Sequence, residues 1–218
     1  GTNTILNLTP GNQLRLYIED AHGASVGVDI TTTDTFLAGN LYHVAIEVDL
    51  SAGVANIYRA VNGGAIAATT LTTGTEPNLQ AGGNISWTDP VWYVGFTSSY
   101  YTGDLGTYYL NIGVRIDLKN SDNMEKFYKN GISQNLGSDG STPTGTAPIL
   151  FLNNPASTWH TNLGTGGGMS LTGTLAAGTD APGYSLPAGL DSETVYHVIT
   201  GTTNTLQVSL TSGGSAVA

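Results

Sequence analysis

Glu47 and Asp49 stand at alternate positions of the run Tyr42-His43-Val44-Ala45-Ile46-Glu47-Val48-Asp49. On an extended strand alternate side chains share a face. Two carboxyls on one face are the minimum equipment for cleaving a glycosidic bond, one protonating the leaving oxygen and the other attacking or activating water. The competing reading is a polar sheet face, and the rest of the chain favours it.

Other chemistry finds little support. The chain has no cysteine, which removes disulfides, thiolate metal sites and cysteine nucleophiles. The histidines, His22, His43, His160 and His197, lack the short spacing of a zinc set. Gly164-Thr165-Gly166-Gly167-Gly168 lacks the Lys-Ser/Thr of a phosphate-cradling loop, and no Gly-x-Ser-x-Gly elbow occurs. Aromatics beside hydrogen-bonding side chains are the remaining handle: Tyr100 and Tyr101 after Ser98-Ser99, and Trp159 with His160 and Asn162. Flat rings and amides of this kind suit a sugar with one apolar face and many hydroxyls. The same aromatics at strand ends also close cores and oligomer interfaces.

The elements that would position these groups read as strands. Leu14, Leu16 and Ile18 alternate with Arg15, Tyr17 and Glu19. In residues 41–50, Tyr42, Val44, Ile46, Val48 and Leu50 point one way, and a turn at Ser51-Ala52-Gly53 leads into a hairpin partner from Val54 to Arg59. Further strands are expected at Val91 to Phe96 and at Thr107 to Leu118, with Gly113 marking a bulge. A short helix is expected after Ser121-Asp122, with Glu125 completing a capping box, Met124, Phe127 and Tyr128 as its apolar stripe, and Asn130-Gly131 as its stop. From about 134 the texture turns to Gly, Ser, Thr and Pro around the apolar strand Ile149 to Leu152. A final hairpin is expected between Thr194 to Ile199 and Thr205 to Leu210.

Charge sets further limits. Only 10% of the 218 residues are charged and the net charge is −10, which argues against nucleic acid and anionic membrane as partners, since both demand a concentrated basic footprint. Lys119, Lys126 and Lys129 fall together and read as a solvated helix face. No apolar run approaches the ~20 residues of a membrane span. The start, Gly1-Thr2-Asn3, has neither Met nor a signal-peptide pattern, so a processed product or excised fragment is expected.

Leu41-Tyr42-His43-Val44-Ala45, Val48-Asp49, Ala55-Asn56-Ile57-Tyr58 and Asn62-Gly63 resemble the core motif of laminin-G and concanavalin-like domains, with Tyr42 where Trp is usual. Tyr101-Thr102-Gly103-Asp104-Leu105-Gly106 is similar to their sheet-closing strand, and the likeness covers roughly residues 5 to 118. Residues 131–145 and 159–168 resemble a segment that follows laminin-G-like domains in bacteriophage virion proteins, and 186–214 resembles a small β unit of phage structural proteins. Concanavalin-like glycosidases carry a third acid where this chain has Ser51, so the resemblance implies no enzyme here. Some laminin-G-like domains bind calcium through loop acids; Asp34, Asp89, Asp104 and Asp139 are the residues that would serve, without a regular calcium loop, and no other cofactor is implied.

The expected fold is all-β: a two-sheet antiparallel jelly-roll sandwich over 1–133 ending in a short helix, a loop-rich extension packed on it over 134–185, and a C-terminal β-hairpin unit over 186–218. The expected function is structural. A protein exposed on a bacteriophage particle as tail, fibre or head decoration would contact other virion proteins and copies of itself, and would have host-surface polysaccharide as a second partner. The alternatives are a secreted bacterial carbohydrate-binding adhesin module and a capsule-degrading appendage enzyme.

Overall fold

A computed structural model describes residues 4–19, 26–73, 103–178, 196–201 and 206–217. The chain forms two units, residues 1–180 and 181–218. The strand expected at Val91 to Phe96, together with Tyr100, Tyr101, Asp89 and His22, lies outside the described residues.

Period-2 alternation builds the first unit. Its early strands are β1 (Thr4–Leu8), β2 (Gln13–Glu19), β3 (Val26–Thr35), β4 (Tyr42–Asp49), β5 (Val54–Val61), β6 (Ala67–Ala68) and β7 (Leu71–Thr73). They make two antiparallel sheets, β1-β2-β3-β7 and β4-β5-β6. Leu14, Leu16 and Ile18 of β2, Val28 and Ile30 of β3, and Ile57 of β5 join Phe36 and Leu50 in one buried cluster. Tyr42, Val44, Ile46 and Val48 of β4 pack against it. The two sheets therefore share a core built from alternate residues, and the intervening positions of β4 and β5 face away from it.

The expected hairpin forms with unbroken register, from Asp49 opposite Val54 to Tyr42 opposite Val61. Its turn is tightened by Asp49, whose Oδ1 accepts the Ser51 hydroxyl at 2.6 Å and the Ala52 amide at 3.0 Å, while Gly53 takes φ +65°.

The later part of this unit departs from the sequence expectations in two places. The strand expected at Thr107 to Leu118 is confined to β8 (Tyr108–Leu110); the chain beyond it is irregular, with Gly113 at φ +109°. The helix stops after one turn: α1 spans Ser121–Met124, capped by Asn120, whose side chain accepts the Asp122 amide. Tyr128–Lys129 (β9) then pairs with Ile132–Ser133 (β10), so Asn130-Gly131 is the turn of a tiny hairpin rather than a helix stop. Both turn residues have positive φ, the conformation that Asn-Gly favours in two-residue hairpin loops.

Leu150–Leu152 (β11) is fully buried and pairs with β8, so the Gly/Ser/Thr/Pro-rich stretch is tied back to residues 108–110 by a ladder. Gly140 sits at φ +79° with Phe151 and Pro148 where a Cβ would stand, so this turn admits only glycine. In the second unit β12 (His197–Gly201) pairs antiparallel with β13 (Leu206–Ser209), and the Val217 amide returns to the Val208 carbonyl at 2.8 Å.

The core predicts a sharp contrast. Ile57 is 1% exposed and Val114 is 78% exposed. Replacing Ile57 by Ala should cost about 3 kcal/mol through lost burial and a residual cavity, whereas Val114→Ala should change stability by less than about 0.5 kcal/mol. Urea unfolding of the two variants measures both, and equal midpoints would contradict the core assignment.

Candidate functional site

The outward face of β4-β5 gathers the groups that the sequence singled out for acid–base work. Glu47 lies opposite Asn56 in the ladder, and Tyr58 follows on the same face of β5. Glu47 is 5% exposed. Its Oε1 accepts the Asn56 amide at 2.7 Å and the Tyr58 hydroxyl at 3.1 Å; its Oε2 accepts Arg115 Nε at 3.2 Å and the Leu118 backbone amide at 3.0 Å. Each carboxylate oxygen thus holds two donors, the condition under which a buried charge is tolerated. Burial, reinforced by the neighbouring Glu47 carboxylate, pushes the Tyr58 hydroxyl up to about 12, so it stays a donor.

Arg115 reaches further, to Asp117 Oδ1 at 3.1 Å and Asp49 Oδ2 at 3.9 Å. The Asp49 carboxyl is held below the usual range by the Ser51 hydroxyl first and the Ala52 amide second. A glycosidic general acid needs the opposite displacement. Glu47 is thus engaged inside the fold and Asp49 in the exposed turn beside it, so both carboxylates of the Glu47-Val48-Asp49 pattern already have partners within the chain. Leu118, Tyr58 and Met124 form a second buried cluster beside it, with Ala45, Ile66, Ile116 and Phe127 packed around.

Further along the same face His43 stacks on Tyr128 with ring centroids 4.6 Å apart, and its Nδ1 lies 3.2 Å from the Ser133 hydroxyl. The Tyr128 hydroxyl donates to the Gly64 carbonyl at 2.8 Å. Residues 115–133 are thereby strapped across the outer face of the sheet.

The loop expected to meet a sugar is organised by Asn162. Its Oδ1 accepts the Phe151 and Gly164 amides, and its Nδ2 donates to the Ile149 and Gly167 carbonyls. All four bonding positions of the amide are consumed by backbone. Trp159 Nε1 donates to the Gly106 carbonyl at 2.7 Å, and His160 Nδ1 is buried without a partner. The three residues are neighbours in one turn, but their polar atoms mostly face inward.

Asp34 and Asp139 are each engaged by neighbouring groups. Asp34 pairs with Arg59 at 3.2 Å, and Asp139 accepts the Ser141 amide at 3.0 Å, its carboxyl lowered by Ser141. Asp104 is exposed. Among the described residues no three His, Asp or Glu side chains are grouped to hold a metal ion, and Asp89 lies outside them. The Asp34–Arg59 pair edges a depression of about 270 Å³ lined chiefly by Val61, Ala65, Ala67 and Ala68. Arg59 also lies over the Phe36 and Tyr42 rings and donates to the Thr35 carbonyl at 2.8 Å, so its charge is spent on the fold.

Asn56 and Tyr58 were within reach of sequence reasoning, because the hairpin register sets Asn56 opposite Glu47 and Tyr58 beside it. Arg115 and the Leu118 amide were not, since nothing local marks partners 68 and 71 residues away. Compared with protein-family models, curated proteins and solved structures, the chain matches none of them.

Burial pushes the His43 imidazole down to about 4 from an ordinary 6.5. The unfolded chain then binds the proton more readily, so the stability carried by neutral His43 is complete above pH 6.5 and drains away as pH falls toward 4. The full loss is roughly 3 kcal/mol. His43→Phe keeps the ring contact and removes this titration, so its stability should fall less steeply than that of the natural chain over that window, the carboxylates contributing the same slope to both. Parallel pH–stability curves for the two proteins would refute a neutral, buried His43.

Proposed function

We propose that this chain is a structural protein displayed on a bacteriophage particle, built on a laminin-G-like jelly roll, with attachment to host-surface polysaccharide as a second role. The observation that carries the reading is the saturation of Glu47. The carboxylate best placed for catalysis has every bonding position taken by Asn56, Tyr58, Arg115 and Leu118. Side chains arranged this way hold a scaffold rather than await a substrate.

Three further features support the reading. Two antiparallel sheets sharing one core agree with a jelly roll. The resemblance of residues 131–145, 159–168 and 186–214 to phage virion segments suggests the setting. The acidic, cysteine-free composition suits an extracellular particle surface without disulfide staples. For the second role Trp159 offers a ring rather than polar atoms, since its indole N–H and the Asn162 amide are already bonded.

Size-exclusion chromatography with light scattering, followed by a glycan array on the eluted species, tests the proposal. A symmetric oligomer is expected, because copies of one chain that associate usually close with point-group symmetry. A monomer that binds a defined polysaccharide would overturn it and make recognition the primary function.

A further inference from the structure

The chain contains two Asn-Gly dipeptides, Asn62-Gly63 and Asn130-Gly131, and both form turns with positive φ at each residue. The turns lie against each other: a Cβ on Gly131 would run into the Gly63 carbonyl. Their asparagine side chains are treated differently. Asn62 Oδ1 accepts the Leu41 amide at 2.8 Å and its Nδ2 donates to Asn40 Oδ1 at 2.7 Å. Asn130 is exposed, and its side-chain amide makes no hydrogen bond among the described residues.

An asparagine followed by glycine can react with its own backbone, because no Cβ shields the glycine nitrogen from the side-chain carbonyl carbon. The nitrogen forms a bond to Cγ, the bond from Cγ to Nδ2 breaks, and ammonia departs with the glycine amide proton. The cyclic imide that remains takes up water across one of its two ring C–N bonds, giving aspartate or isoaspartate. Water is the only co-reactant. The step requires Cγ to swing toward the following nitrogen, which no side-chain hydrogen bond opposes at Asn130, whereas Asn62 must first release Leu41 and Asn40.

We propose that Asn130 is a self-modification site of this protein and that the Asn62 turn is spared by its two anchors. The isoaspartate product lengthens the backbone by a methylene where Gly131 has no room against Gly63. It therefore loosens the β9-β10 hairpin from the Gly64 carbonyl that Tyr128 holds and from the His43–Ser133 contact.

The test incubates the purified full chain, native and urea-unfolded, in mildly alkaline buffer and quantifies deamidation in the two Asn-Gly peptides by mass spectrometry. The ratio of Asn130 to Asn62 modification should be about 30-fold larger in the native chain than in urea, from two hydrogen bonds that must open at Asn62. Asn40→Ala removes one anchor and should raise the Asn62 rate in the native chain. Equal native and unfolded ratios, faster reaction at Asn62, an Asn130 that stays intact in the native chain while reacting in urea, or an Asn62 rate unmoved by Asn40→Ala would each overturn the proposal.

Discussion

A carboxylate with 5% exposure on a sheet face must be fully bonded or abandoned by the fold, and Glu47 dictates the arrangement around it. Two of its donors are local, Asn56 and Tyr58 on the neighbouring strand. The other two come from a segment 68 and 71 residues further along the chain. Arg115 and the Leu118 amide close the shell, and with them residues 115–118 are drawn over β4-β5. Once this segment is fixed, Leu118 and Met124 can bury against Tyr58, and the one-turn helix and the β9-β10 hairpin follow it onto the sheet.

The sheet thus works on both faces. Its inward residues complete the apolar core with β2 and β3, and its outward residues grip a strap by polar contacts at one end and by the His43–Tyr128 stack at the other. Gly63 and Gly131 let the two turns approach closely. This division explains how a chain without disulfides and with few charges orders a long irregular stretch: backbone groups that have no ladder are satisfied by Glu47, Asn120 and Asn162.

Much of the first half was legible in the sequence because strand periodicity is a local signal. The alternation from Tyr42 to Asp49 placed Val44, Ile46 and Val48 toward the core, and the turn composition placed the hairpin. The same rule misled at Thr107 to Leu118, where the apolar spacing resembles a strand but the Leu118 amide bonds to a carboxylate distant in sequence. At Asn130-Gly131 the two meanings of the dipeptide, helix stop and hairpin turn, compete, and pairing of Tyr128 with Ser133 decided for the turn. Trp159, His160 and Asn162, which the sequence suggested as a group able to meet a sugar, lie in one turn after the short 3-10 segment Ala156–Thr158. The sequence could not show that the Asn162 amide is used up by the backbone, since that depends on where Ile149, Phe151, Gly164 and Gly167 return to it.

Glu47 holds the strap, and amide hydrogen exchange at Leu118 reads that bond directly. In the natural chain the Leu118 amide should be protected as strongly as the β4-β5 amides, opening only with the whole unit. Glu47→Gln should lower its protection about 10- to 100-fold, the worth of a hydrogen bond to a charged acceptor, relative to the β2-β3 amides in the same sample. Rapid exchange at Leu118 in the natural chain, or protection unchanged in Glu47→Gln, would contradict the account.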